Sequence, residues 1–334
     1  MHDSSEVRID GLGYLDAATS LLHRIRCSHP TAGLYEAADL QWWWAQRPRT
    51  TDELDQLFWF DREGRPEAAV IATDSGDRMQ LDPILMPDAT PEWVEHAVQR
   101  GLAHARRAGI DAVSLEVDRA DHVLRTILAG RGFTVEGPGV VEAWMDADAR
   151  PAISPIRECY RLTGRDAAIL DRPHHMINPR RDTTDPEPRL RQTSLYRPDL
   201  DLAVYTDQGE VAAYGLFWFD PVTSVGLVEP MRTEDDHQRQ GLARHVLTSG
   251  LELLAQAGAT RIKICFEPDN PASSHLYPSV GFAPDRENDI VSGRTSAVPA
   301  SPGSSPHPAP DVLSDDREAV AQRSRSTGDE TFAP

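Results

Sequence analysis

The chain of 334 residues holds three cysteines, Cys27, Cys159 and Cys265. They are odd in number, far apart and in no metal-ligand spacing. That excludes a disulfide framework and leaves reduced, mostly buried thiols as the expectation. No apolar run approaches the length of a membrane span. The polar, acidic start "MHDSSEVRID" has no signal-peptide pattern, so a cytoplasmic location is expected. Basic residues are outnumbered, 34 Lys and Arg against 53 Asp and Glu, for a formal net charge of −19. Phosphate-rich polymers and anionic membranes select basic faces, so this balance argues against nucleic-acid and membrane partners and is compatible with an amine-bearing substrate. A strand–GxGxxG–helix unit, a Walker loop and a Ser/His/Asp hydrolase pattern are all missing, which removes the sequence basis for dinucleotide redox chemistry. The histidines of "PHHM" (173–176) have no ligand partners at helical spacing. No metal is expected there, and a surface or acceptor-loop role is.

What the chain does contain is a repeat. "RGLAHARRAGIDAVSLEV" (100–117) parallels "SGLELLAQAGATRIKICF" (249–266). Gly101 and Gly250, Gly109 and Gly258, Gly132 and Gly281, and Phe133 and Phe282 are all 149 residues apart. Upstream, "LFWFDREGRPEAAVI" (57–71) resembles "LAVYTDQGEVAAYGL" (202–216), with Gly64 and Gly209 separated by 145, so the second copy gains residues between the blocks. Length and repeat together give two tandem units, residues 1–150 and 151–291. "DADARPAISP" (146–155) is the expected linker. The stretch 292–334, rich in Ser, Pro and charge, is expected to be disordered. "NPRRDTTDPEPRLRQTSLYRPD" (178–199) reads as a long loop or a frayed helical connection.

Within the second unit, "LAVYT" and "VAAYGLFWF" flank the turn "DQGE" as an antiparallel hairpin. "SVGLVEPM" is a further strand, and a polar loop then enters a helix ending near Gly258. "ATRIKICFE" is the next strand, and "NPASSHLYPSVGF" a short helix with a glycine stop. This order gives a mixed sheet with a crossover helix, in the α/β (α+β) class.

The strand–loop–helix reads Gln238-x-x-Gly241-x-Ala243. Unpaired N–H groups and the dipole at a helix N-terminus can seat a pyrophosphate where no side chain blocks the approach. A glycine admitted only for close helix–sheet packing fits this segment equally well. The parallel strand is followed by Asn270, Leu276-Tyr277 and Gly281-Phe282. This order resembles the GNAT superfamily of N-acetyltransferases, with its (Gln/Arg)-x-x-Gly-x-(Gly/Ala) loop and its Asn-x-x-Ala-x-x-Leu-Tyr-x-x-x-Gly-Phe helix, Ser273 standing for the alanine. The resemblance is specific over roughly residues 200–285 and only general over 1–150.

The resemblance implies two tandem GNAT-like mixed β-sheet domains and an acetyl-CoA-dependent N-acetyltransferase acting directly on a small amine, as a monomer or homodimer. A protein-amine acetyltransferase and a non-catalytic acyl-CoA-binding module are the alternatives. It implies that the N–H groups of Arg239, Gln240, Gly241, Leu242, Ala243 and Arg244, with Gln238 at the loop's start, cradle the pyrophosphate of CoA. The strand carrying Met231, Arg232 and Thr233 would line the pantetheine arm, with the Met231 N–H directed at the thioester carbonyl. Asn270 would contact the arm, and Tyr277 would protonate the leaving thiolate. Glu229 is read as the base, and Pro230 as the mark of a bulge separating its strand from a neighbour. A strand-end salt bridge for Glu229 and a core position for Tyr277 are the structural alternatives. Pro278 could kink the helix that aims Tyr277. The acids of "TEDDH" must point outward or be offset by Arg239 and Arg244.

In the first unit the same offset puts Glu92 at the Gly241 position, Asp121 at Asn270 and Leu128 at Tyr277. That copy is expected to keep the fold and lose CoA. "LQWWWAQRP" (40–48) carries three consecutive tryptophans, which cannot all face one core. Packing between the domains is expected for them, ahead of a binding wall.

Overall fold

The computed structural model describes residues 5–75, 78–167, 173–178, 180–181 and 184–296. The first half runs β1 (Glu6–Ile9), α1 (Gly11–Ser28), α2 (Ala37–Gln46), β2 (Gln56–Phe60), β3 (Pro66–Asp74), β4 (Met79–Leu85), α3 (Pro91–Arg107), β5 (Ala112–Asp118), α4 (His122–Ala129) and β6 (Thr134–Asp146). The second runs β7 (Tyr160–Gly164), α5 (Glu187–Leu190), β8 (Asp201–Thr206), β9 (Val211–Asp220), β10 (Val225–Thr233), α6 (Leu242–Ala257), β11 (Arg261–Phe266), α7 (Pro271–Ser279) and β12 (Ala283–Arg294). The expected hairpin, crossover helix and parallel strand are all present, β10 pairing in parallel with β11.

All strands join one 12-stranded sheet, ordered β1-β2-β3-β4-β5-β12-β6-β11-β10-β9-β8-β7. The two halves exchange their last strands. β6 pairs with β11 of the second half, β12 pairs with β5 of the first, and β6 and β12 pair with each other at the centre. The repeat at residue 150 is therefore a repeat of sequence, while the sheet is shared. The expected tail from 292 begins inside β12, whose backbone is paired through Arg294; residues 297–334 lie outside the described residues.

Helices cover both faces. α3 and α4 bury the inward residues of β2–β5, and α6 and α7 those of β8–β11. Gly101 and Gly250 allow this packing: a Cβ at Gly101 would lie 2.8 Å from Val70, and one at Gly250 would lie 2.1 Å from the Phe217 ring. On the opposite face α1 and α2 lie across strands of both halves. This explains the tryptophans. Trp42, Trp43 and Trp44 are all buried, against the rule that a helix buries one stripe, because α2 is enclosed by protein from both halves. The linker lies against α6, with Arg150 paired to Glu252 at 2.7 Å and the Ser154 N–H donated to Thr248 Oγ1. Of the cysteines, Cys27 and Cys159 are exposed and only Cys265 is half-buried, so the expectation of buried thiols fails for two of three. Among the described residues no helix is long and apolar enough to cross a membrane.

Candidate active site

Parallel pairing of β10 with β11 runs from Val225 to Val228 and then stops. On its other edge β10 slips register against β9 between Val228 and Met231, so Glu229 and Pro230 form a bulge, joined by a cis peptide bond. The expected irregularity is there, at the expected proline. Beyond it Met231, Arg232 and Thr233 resume pairing with Gly215, Tyr214 and Ala213. The Glu229 carbonyl accepts from Trp218 Nε1 at 2.8 Å, which pins the bulge.

The loop after β10 ends in two left-handed residues, Arg239 (φ 60) and Gly241 (φ 84). Gly241 is the N-cap of α6 and lies before its first turn, not within it. Its φ is one that side chains disfavour, whereas a Cβ built on it would meet no protein atom within 4 Å, so protein packing does not require the glycine. Among the described residues, His245 is the first after the loop whose N–H finds a backbone acceptor, at Gly241 O; none is bonded to the N–H groups of residues 239–244. The equivalent helix of the first half is closed by its own side chains. Thr90 caps α3 by accepting from the Trp93 N–H, and hydrogen bonds from its own N–H and the Thr90 hydroxyl hold the Glu92 carboxyl below its usual range. One helix start is self-satisfied and its repeat is open.

The acids ahead of the glycine are offset, though not by the expected residues. Glu234 pairs with Arg181 at 2.8 Å and accepts from Asn178, Asp236 pairs with Arg180 at 2.9 Å, and Arg232 lies 3.7 Å from both Glu234 and Asp235. Arg244 instead donates to Ser279 at the end of α7. Gln238 donates to Asp235, and Gln240 accepts from Arg157 and Tyr160. Asn270 Oδ1 caps α7 through the Ala272 and Ser273 N–H groups, a structural duty that leaves only its amide nitrogen for a ligand. Pro278 falls in the last turn of α7, past the residues that aim Tyr277. The Tyr277 ring is wedged between Phe266 and Phe282. Burial, then the nearby Glu229 and Cys265, push its phenol well up, so it keeps its proton at neutral pH.

Glu229 belongs to a larger cluster that sequence reasoning missed. By surface area the residue is half-buried, yet protein crowds its carboxyl. Burial first, then the charge and hydrogen bond of Asp39 on α2, push Glu229 well up, while Lys263 and the Trp43 indole pull the other way. Trp43 Nε1 itself makes no hydrogen bond among the described residues. Asp39 Oδ2 accepts the Glu36 N–H at 2.7 Å and lies 3.4 Å from Lys263 Nζ. Lys263 also donates to Leu34 O and lies 3.8 Å from Glu142 of β6. Burial alone would depress Lys263, but Asp39 and Glu142 outweigh it and hold the ammonium above its usual range. Lys263 is the chain's only lysine, flanked by apolar Ile262 and Ile264 on its strand, and that was the available signal. Asp39 offered none beyond its place in a local capping box with Glu36.

The histidine pair was misjudged as surface. His174 and His175 are buried around Asp201, at 2.9 and 2.8 Å, and Tyr196 donates to the same carboxylate. The three could group about an ion. The hydrogen bonds argue otherwise: His174 Nδ1 accepts the Met176 N–H, so Nε2 carries the hydrogen given to Asp201. Burial would raise Asp201, but the histidines more than offset it and hold it well below its usual range.

Residues 168–282 match the acetyltransferase (GNAT) family. A mycothiol acetyltransferase of Kocuria rhizophila is 25% identical, over 71% of this chain and 90% of its own. A tandem GNAT protein from the clavulanic acid biosynthesis pathway shares the fold with a TM-score of 0.64 at 13% identity, over 88% of this chain and 99% of that one. A GCN5-related N-acetyltransferase from Sphaerobacter thermophilus does so at 0.58 and 11%, over 87% and 96%.

Proposed function

We propose, from the premise that this chain is an acetyltransferase of the GNAT family, that its second half transfers an acetyl group directly from acetyl-CoA to the amine of a small molecule. One juxtaposition carries the reading. The splayed, bulged end of β10 leads from Glu229 to a helix start whose N–H groups have no acceptor among the described residues, and the half-buried Tyr277 lies near the same carboxyl. The N–H groups of residues 239–244 suit a pyrophosphate. Gln238 and Gln240 are braced and hold the loop's shape, and Asn270 offers its amide nitrogen. The edge of β10 at Met231, Arg232 and Thr233 is where an extended arm would lie, as in strand addition, with the Met231 N–H as the donor to the acyl oxygen.

An ammonium acceptor must lose a proton before it attacks. Glu229, its carboxyl raised by burial and by the neighbouring Asp39, is the group placed to take the acceptor's proton. Lys263 holds Asp39 at 3.4 Å. Tyr277, kept neutral by burial, supplies the proton that the departing sulfur needs. The relative named as a mycothiol acetyltransferase supports a small-molecule acceptor over a protein one.

The test is an amine panel, mycothiol-type amines included, followed by release of free CoA. Turnover with at least one small amine is expected, abolished in Gly241→Glu and strongly reduced in Tyr277→Phe. Full activity in Gly241→Glu sinks the proposed cofactor site. CoA binding without turnover of any amine leaves the non-catalytic reading in its place.

A further inference from the structure

The first half lacks an open helix start but keeps a cleft. β4 pairs with β5 only at Met79 and Gln80, opposite Val113 and Ser114, and the strands then part. A cavity of about 340 Å³ opens in the gap. Its walls are apolar, with Ile25, Ile84, Met86, Val94 and Leu124 among them. Its polar lining is mostly committed. Arg286, brought in on the exchanged β12, donates to the carbonyls of Gly33 and Thr31 and lies 3.5 Å from Asp118. Asp118 also accepts from the Ala120 N–H, and Asp121 caps α4 through the Leu124 N–H.

Glu116 is different. It is 6% exposed, lines the cavity, and has no cation paired with it among the described residues. Its Oε1 accepts from the Val140 N–H at 2.8 Å and from Asn288 Nδ2 at 3.3 Å. A carboxyl at the wall of an apolar cavity, held in place by neutral donors, lacks the positive charge that would complete it. A phosphate is the wrong complement, because Thr90 and Glu92 already close the nearby helix start and Arg286 of the lining is committed to carbonyls and Asp118.

We propose that this cleft is a second ligand site that takes a small organic ammonium with an apolar body, the ammonium on Glu116 and the body against Ile84, Met86 and Leu124. Its volume suits a ligand at the small end of ordinary binding pockets. The site is independent of acetyl transfer in the second half and stands whether or not that occurs.

The probes are n-hexylammonium, its neutral analogue 1-hexanol and its anionic analogue hexanoate, titrated calorimetrically into the full chain. Hexylammonium should bind at least ~10-fold tighter than either analogue, the discrimination expected of one charged contact. Glu116→Gln keeps the acceptor for Val140 and should remove the preference. Met86→Trp fills the cavity and should weaken all three probes. Equal affinity for hexylammonium and 1-hexanol in the wild-type chain overturns the proposal without any variant. So does hexylammonium binding unchanged by both substitutions, which would put the amine in the second half, near Glu229.

Discussion

Gly241→Ala separates two reasons for one glycine. At φ 84 an alanine backbone is disfavoured by about 1–2 kcal/mol. The new Cβ meets no protein atom within 4 Å, so no packing penalty adds to that. The expected fall in melting temperature is roughly 2–4 °C per kcal/mol. Ligand binding should suffer far more. The methyl group would stand beside N–H groups that have no acceptor among the described residues, where the proposed phosphate oxygens would come close. Each hydrogen bond to a charged acceptor is worth about 1.5–3 kcal/mol, so losing one weakens CoA by roughly 10- to 150-fold. Gly258→Ala is the control. Gly258 is also left-handed, at φ 108, and its Cβ would sit 3.6 Å from Phe219, an ordinary contact. It caps the far end of the same helix. It should cost similar stability and leave CoA affinity alone. Thermal melts and calorimetric titration of CoA on both variants decide the matter. If Gly241→Ala binds CoA as the wild type does, or if Gly258→Ala loses as much, the glycine serves only the backbone and the phosphate argument fails.

Three further outcomes follow from the cluster around Glu229. Glu229→Gln should lower kcat/KM by roughly 10²- to 10⁴-fold, the usual worth of a general base, while CoA titration shows unchanged affinity; an active Gln variant removes Glu229 from the chemistry. Asp39→Asn deletes the charge that, after burial, raises Glu229 most. Glu229 then titrates lower, and the acid limb of the kcat/KM profile should move to lower pH; a limb that stays in place shows that the pair does not govern it. Lys263→Met strips the cation from buried Asp39 and Glu142 and should cost about 3–5 kcal/mol in urea unfolding, whereas a loss within the range of surface substitutions would mean that the carboxyls reprotonate without consequence.

What could be read from the sequence was local or periodic. The hairpin, the crossover helix, the bulge at Pro230 and the Gly241 loop each rest on spacings within a few residues, and the fold shows them. The repeat at 149 residues fixed which elements correspond, but the same spacing serves whether a last strand closes its own half or its neighbour. Asp39 and Glu229 are joined across 190 positions by α2, a helix whose three buried tryptophans defeat the one-stripe rule because protein from both halves encloses it. The histidines found their partner at Asp201, off any helical spacing, in the shared interior.

Strand exchange adds a further set of contacts between the halves. β6 carries Glu142 to Lys263, and β12 carries Asn288 to Glu116 and Arg286 to Asp118. Each half's polar floor is completed by a strand of the other. A chain cut at residue 150 would leave Lys263 without Glu142 and Glu116 without Asn288, burying charge and carboxyl with fewer partners. A substitution at Glu142, Asn288 or Arg286 therefore removes a partner from the other half of the sheet.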